Sequence, residues 1–507
     1  MPKLLSNLPI KNLTAETDYL GIIDKANLIK IFLEANTEGF SEIKMFALYG
    51  EWGSGKSTLM KYLEKELKTS FNTYFFEAWE FESDSNLSLS LLEYLIKKTK
   101  LVEEQVSEEI LDIAEKLLRG FTKSIRLSIP GLSIDGKQIV EALEGEKEKS
   151  FLELKEEFKT EFVRWEDFVT KRDAPKYNIV FIDDLDRCEP ENVLNLLSAI
   201  KLLFSYGKKT IFFFGIDKEA VRAAVKTKYG EVLKADEYLE KIFDISFSMP
   251  RDHEILKLVR CYFPSLTIEH KEIKQKWDEA ITNFFKELKF ENPRRIKKVL
   301  NKYVLLTRVK KIVKEQTYSK SIPNIFIGEG DKSSFFETVL VLYFIIIEEF
   351  YSELSNSIFD LKKKKSRYEE GLKHVFSHEE DWVVKSGLEY IGDFFNSNTL
   401  KTPLNKLSIN YCKDDLVAGT NLNGNIAGKN RRKLGAFYVC LGPVDVIKIK
   451  GSSLVHLDWM EDLIPMRKSI DYLFFKYILS NQIIVSQCER LSDLSLLEIK
   501  NMVSKLL

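Results

Sequence analysis

The run Gly50-Glu51-Trp52-Gly53-Ser54-Gly55-Lys56-Ser57-Thr58 follows directly on an apolar stretch, Met45 to Tyr49. From Gly50 through Ser57 it fits G-x-x-x-x-G-K-[ST], the pattern of a loop that cradles phosphates. The chemistry dictates the residue types. Backbone N–H groups must come within hydrogen-bond reach of phosphate oxygens, and Gly53 and Gly55 carry no side chain to block them. Lys56 sets a positive charge against the β- and γ-phosphates, and the Ser57 hydroxyl is a ligand type for Mg²⁺. Trp52, Ser54 and Thr58 complete the expected nucleotide-contacting set. The helix expected next, with Leu59, Tyr62, Leu63 and Leu67 at apolar spacing, aims its N-terminal dipole at the anion.

A second chemical group lies at Asn178-Ile179-Val180-Phe181-Ile182-Asp183-Asp184, an apolar run ending in paired carboxylates. It reads as a strand buried on both faces of a parallel sheet, whose C-terminal edge is where such sheets hold ligands. Asp183 is then the Mg²⁺-holding carboxylate, and Asp184 is placed to take a proton from, or orient, the attacking water. The alternative for Asp184 is a structural cap for the loop that follows. Arg187, in Leu185-Asp186-Arg187-Cys188, suits stabilisation of the transferred phosphoryl group, in cis or across a subunit boundary, or else an ordinary ion pair. Pro190 suits the first turn of a helix with Val193, Leu196, Leu197, Ile200 and Leu203 on its inner face.

A third apolar run, Ile211 to Ile216, delivers Asp217 to the same edge. In additional-strand P-loop enzymes such a strand lies between the two motif strands, which makes Asp217 a sensor of the γ-phosphate or attacking water. It suits equally the N-cap of a helix from Lys218, and the two roles are compatible. Asn292-Pro293-Arg294-Arg295 reads as an N-cap, a first-turn proline and two guanidiniums at a helix start. Arg294 or Arg295 in a helical lid would reach back over the γ-phosphate, with a structural ion pair as the alternative for each.

The elements that must position these groups belong to a chain of 507 residues, long enough for two or three domains. Its 76 basic and 77 acidic residues give no global attraction to nucleic acid or to an anionic membrane, leaving only local patches for such contacts. The five cysteines are scattered with no C-x-x-C pair, as for reduced thiols in the cytoplasm. Met1-Pro2-Lys3-Leu4 opens no apolar signal core, and Val339 to Ile347 is too short to span a bilayer and reads as a buried helix. A soluble cytoplasmic protein is expected.

Taken together, the P-loop, Phe75-Phe76-Glu77-Ala78-Trp79, Ile182-Asp183-Asp184-Leu185-Asp186-Arg187-Cys188, Gly215-Ile216-Asp217, Tyr238-Leu239-Glu240-Lys241-Ile242 and Asn292-Pro293-Arg294-Arg295-Ile296-Lys297 resemble the KAP P-loop NTPases in order and spacing. The resemblance covers roughly residues 15 to 310. It implies an α/β core of the additional-strand type with a helical insertion and a helical lid, and Mg²⁺-dependent hydrolysis of ATP, with GTP the alternative. Bacterial members of that family often look like parts of anti-phage defence modules, which implies a homo-oligomer or a protein partner encoded nearby. Many members insert transmembrane helices between the two Walker motifs; this chain has none there. The expected layout is an NTPase domain over 1–320, with an insertion at 83–175 and a lid at 250–315, then a mixed or mostly helical domain over 321–507.

Within the insertion, Leu87 to Lys97, Glu108 to Leu118 and the series Phe151, Leu154, Phe158, Phe162, Trp165 have helical spacing, broken at Ile129-Pro130-Gly131 and Gly136. These helices suit packing on their own core or an interface with a partner. Asp244 to Ser248 reads as a strand closed by Pro250-Arg251, with a largely helical region to about Val313 and another helix over Phe335 to Phe350. Beyond Lys320, Lys362 to Lys365 and Arg431-Arg432-Lys433, the latter in the Gly/Asn-rich stretch Gly419 to Gly435, read as solvated faces rather than nucleic-acid contacts. His374 and His378, with Glu379 and Glu380, have metal-compatible spacing but no third ligand, so they read as a helix surface.

Overall fold

Runs rich in Phe, Ile and Val become the strands β1 (Met45–Tyr49), β2 (Phe71–Glu77), β3 (Tyr177–Asp183), β4 (Thr210–Ile216) and β5 (Ile245–Ser248) of the computed structural model. The structure describes residues 4–102 except 11 and 85, 112–113, 115–117, 151–171, 175–230, 235–250, 255–263, 267–270, 273–315, 334–358, 360, 470–481, 483–484 and 496–506. The five strands form one sheet in the order β2-β3-β4-β1-β5, every neighbouring pair parallel. β4 therefore separates β1 from β3, the order expected of an additional-strand core. Parallel strands need covered faces, and alternate residues of β3 and β4 enter different cores. Ile179, Phe181, Ile211 and Phe213 face one cluster; Val180, Ile182, Phe212 and Phe214 face the other.

The first cluster is closed by α1 (Ile22–Ala35) and α2 (Lys56–Glu66), through Ile22, Ala26, Ile29, Leu33, Leu59 and Leu63. The second is closed by α3 (Leu87–Val102), α4 (Phe151–Val169), α5 (Pro190–Leu202), α6 (Lys218–Tyr229) and α7 (Ala235–Ile242). Pro190 stands in the first turn of α5, and Val193, Leu196, Leu197 and Ile200 of that helix are buried, as their spacing predicts. The described helices of the insertion pack on their own sheet: Leu91, Leu95, Phe158, Phe162 and Trp165 join the second cluster, and Trp165 Nε1 donates to Thr99 Oγ1 at 3.1 Å. At the opposite edge from the P-loop, buried Lys44 donates to the carbonyls of Phe40 and Gly207, while Glu166 accepts from the N–H groups of Lys208 and Lys209. These bonds satisfy polar groups where β1 and β4 begin.

The chain divides into two compact units, Leu8–Glu254 and Ile255–Leu507 with the first seven residues. The second unit contains α8 (Ile255–Arg260), an antiparallel pair β6 (Thr267–His270) and β7 (Ile273–Lys276), α9 (Trp277–Glu287), α10 (Pro293–Glu315), α11 (Ser334–Phe350), α12 (Ser352–Ser357), α13 (Ile470–Ser480) and α14 (Leu496–Leu506). The stretch from Pro250 to Val313, expected to be largely helical, includes this antiparallel pair, whose short runs carry the β-branched Thr267, Ile268 and Ile273. Residues 255–315, which include most of the expected lid, cluster by their contacts with the C-terminal half. Aromatic contacts account for that: Trp277 with Phe335 at 5.6 Å, Phe284 with Phe474 at 6.3 Å and Phe290 with Phe350 at 5.4 Å. Residues 335–347 of α11 are buried on all sides, with Tyr343 stacked on Phe474 at 3.7 Å. Among the described residues, no helix is long and apolar enough to cross a membrane.

Several expectations lie outside the described residues: the Ile129-Pro130-Gly131 and Gly136 breaks, Arg251, Lys362 to Lys365, His374, His378, Glu379, Glu380, the 419–435 stretch with Arg431-Arg432-Lys433, and Cys412, Cys440 and Cys488.

Candidate active site at the carboxyl edge of the sheet

β1 ends at Tyr49 and α2 begins at Lys56, so the glycine-rich run forms the turn between them. Gly53 (φ 86°) and Gly55 (φ 102°) occupy left-handed backbone that side chains disfavour. The turn is tight: a Cβ on Gly50 would stand 2.5 Å from Ser54 Oγ and 2.7 Å from Met249 Cγ. Lys56, with 7% of its side chain exposed, donates to the carbonyls of Gly50 (2.8 Å) and Glu51 (3.2 Å), and lies 3.9 Å from Asp186 Oδ2. Thr58 turns inward, its Oγ1 accepting from the N–H of Ile10 at 3.4 Å.

Asp183, the last residue of β3, is 2% exposed. Burial pushes its carboxyl up to about 6; a hydrogen bond from Ser57 pulls it down, and the neighbouring Asp184 charge raises it. Its Oδ2 is buried with no hydrogen-bond partner, and so is the hydroxyl of Ser54. Such atoms sit at a loss of free energy unless something at the site satisfies them. Room beside Asp183 depends on a residue that sequence reasoning did not assign a role: a Cβ on Gly215 of β4 would stand 2.6 Å from Met60 Sδ and 2.9 Å from Asp183 Oδ1.

Asp184 leaves the strand in left-handed backbone, φ 59° and ψ 25°, a region aspartate tolerates better than most residues. Its side chain makes no capping bond to the following turn. Instead Oδ1 pairs with Arg187 Nη2 at 3.2 Å, and the Arg187 guanidinium stacks 5.1 Å from the ring centroid of Trp79. Burial pushes the Asp184 carboxyl up, Arg187 pulls it back, and Asp186 and Glu77 raise it again. Glu77 lies directly across from Asp183 in the β2–β3 register and binds Lys61 Nζ at 2.6 Å. Lys61 carried no signal in the sequence, because a lysine one turn beyond a P-loop is unremarkable on a helix surface.

Asp217 performs two tasks at once. Oδ1 caps α6 by accepting from the N–H of Glu219 at 3.1 Å, and Oδ2 accepts from the N–H of Trp52 at 3.0 Å. The Cys188 thiol is held well above its usual range, by burial and then by Glu82, which keeps it protonated and unreactive. Cys188 and Cys261 are both unbridged. Arg294 and Arg295 belong to the second compact unit, where the Asn292 side chain caps α10 by accepting from their N–H groups at 3.1 and 3.2 Å. The Arg295 guanidinium lies 5.3 Å from the Phe350 ring centroid.

A glycine-rich turn from β1 into α2, a buried carboxylate at the end of β3 and an interposed β4 define a P-loop NTPase of the additional-strand type. The chain belongs to the KAP family: the KAP family P-loop domain matches residues 25–310. The uncharacterized protein MJ0181 of Methanocaldococcus jannaschii is 34% identical over 203 residues, covering 39% of this chain and 74% of that one. MJ0182 of the same organism is 29% identical over 172 residues, covering 28% and 88%. The solved structure of the Aeropyrum pernix ORC2 protein, in ADPNP–ADP complexes, aligns at 12% identity over 76% of this chain and 81% of that one, with a TM-score of 0.28.

Proposed function

We propose that this chain hydrolyses ATP with Mg²⁺. The observation that carries the reading is the unpartnered Oδ2 of Asp183, buried beside Ser57 at the foot of a P-loop. An oxygen donor with no protein partner, next to a hydroxyl and a triphosphate cradle, suits a hard divalent cation. When bound, Mg²⁺ would supply charge neutralisation at the phosphates, held by Ser57 and Asp183. Gly50, Gly53, Ser54 and Gly55 shape the loop whose N–H groups receive the anion, and Lys56 adds its positive charge. Asp184 orients water or takes its proton, and the Arg187 guanidinium beside it stabilises developing charge.

ATP turnover by the purified protein tests this directly. Absence of turnover in the presence of Mg²⁺, with ATP bound normally, would favour a second reading, a nucleotide-dependent scaffold. The specific observation for that reading is the Asp184–Arg187 pair, which occupies both groups that hydrolysis would use.

The proposal extends to coupling of ATP state to a partner effector or to assembly within an anti-phage module in the cytoplasm. Its support is the family resemblance, together with a second unit that carries Arg294 and Arg295 at a capped helix start. Adding proteins encoded next to it, or DNA or RNA, to the turnover assay tests the coupling: a partner that matters changes the rate. Hydrogen exchange near Asn292 to Asn301 should differ between ATP and ADP, and Arg295→Ala should remove that difference.

A further inference from the structure

The P-loop is attached to the end of β4 at two points. The N–H of Gly50 donates to the carbonyl of Ile216 at 3.1 Å, and one residue later in β4's exit the N–H of Trp52 donates to Asp217 Oδ2 at 3.0 Å. The other Asp217 oxygen is committed to the cap of α6. Trp52 itself is 52% exposed. A carboxylate with both oxygens already accepting N–H groups is ill suited to meet a phosphate oxygen, since like charges repel and neither oxygen has a proton to donate.

We propose that Asp217 is a positioning residue that fixes the curvature of the P-loop through the Trp52 N–H, and does not read the γ-phosphate. This rests on the nucleotide-binding reading above and deepens it, because it assigns Asp217 to the part of the site that sees every nucleotide equally. Within the loop, Gly53 and Gly55 lack side chains, Lys56 reaches back to Gly50 and Glu51, and the N–H of Ser54 donates to the carbonyl of Glu51 at 3.1 Å. The bond from the Trp52 N–H to Asp217 ties this turn to a neighbouring element. Through Asp217 the loop is joined to the first turn of α6, whose Lys218 and Arg222 both pair with Asp236 at the start of α7. The loop's geometry is thereby referenced to two helices on its own sheet.

The test compares ADP and ATP affinities, kcat and amide exchange across 50–53 in the parent, Asp217→Ala and Asp217→Ser. Serine is a good helix N-cap but is too short, with one oxygen, to serve both N–H groups. Both variants should lose affinity for ADP and ATP by the same factor, about five- to tenfold as for one lost charge-assisted hydrogen bond, with kcat changed less than about threefold. The Trp52 amide should exchange faster in both, while Asp217→Ser keeps a thermal midpoint close to the parent's. ADP affinity unchanged with ATP affinity or kcat reduced would make Asp217 a γ-phosphate sensor and overturn the inference. Parent-like exchange and affinity in Asp217→Ser would reduce it to a helix cap and overturn it as well. A parent that binds neither nucleotide would overturn the proposed function instead, and exchange at the Trp52 amide would still decide this inference.

Discussion

Arg187 Nη2 lies 3.2 Å from Asp184 Oδ1, so the arginine suited to developing phosphoryl charge is bonded to the carboxylate suited to activating water. Neither side chain is fully buried, and the Arg187 guanidinium also lies over the Trp79 ring. A partly exposed pair of this kind is weak enough to rearrange. It also ties the two groups electrostatically, because the guanidinium holds down the pKa that burial raises.

Asp184→Asn keeps the shape and removes the acceptor charge. Turnover should fall by about 10²-fold or more while ATP affinity stays within about threefold. Arg187→Ala should move the acid limb of the kcat profile to higher pH, because losing the cation lets the Asp184 pKa rise. An unmoved profile in that variant would show that the pair has no bearing on the step that limits turnover.

Burial pushes the Asp183 carboxyl in the folded chain up to about 6 from an ordinary value of 3.8. Between those values the folded state holds the extra proton, so its stability falls as pH rises and the full penalty is present above about pH 6. Asp183→Asn removes the penalty: its thermal midpoint should exceed the parent's by several degrees at about pH 7.5, and the advantage should vanish near pH 4. The same variant should lose Mg²⁺-dependent nucleotide binding. A lower midpoint than the parent's at neutral pH would contradict the assignment of a buried carboxylate with one oxygen unsatisfied.

Lys56→Ala should abolish detectable ATP binding by calorimetry, since the ammonium bonded to the loop carbonyls is removed with its charge. The loss of two bonds to Gly50 and Glu51 loosens a turn rather than a core. Thermal stability should therefore change little.

Gly215→Ala would press a methyl group against Met60 and the Asp183 carboxylate. Turnover should then need about tenfold more Mg²⁺, while ADP binding measured without Mg²⁺ stays near the parent's. An unchanged Mg²⁺ requirement would show that Met60 alone yields.

The sheet and the glycine-rich turn between β1 and α2 were legible because their signals are local. An apolar run bounded by a glycine turn or a carboxylate pair identifies β1, β3 and β4 from a few residues each, and Asn292 and Asp217 cap the helices their types predict. Gly215 was silent because its role depends on a side chain two strands of sequence away. The Lys61–Glu77 bond was silent for the same reason: α2 and β2 meet only in the fold. The grouping of 255–315 with the C-terminal half rests on aromatic pairs such as Phe284 with Phe474, separated by nearly two hundred residues, a distance over which spacing rules say nothing.

The Trp79 ring is 53% exposed and lies against the Arg187 guanidinium. An indole's emission depends on the charge and water beside it, so this one is an optical reporter built into the site. The spectrum of the parent minus that of Trp79→Phe isolates a single fluorophore whose colour follows the departure of Arg187 from the ring. Titrating ATP against that difference signal would record, without any added label, when the cation leaves Asp184.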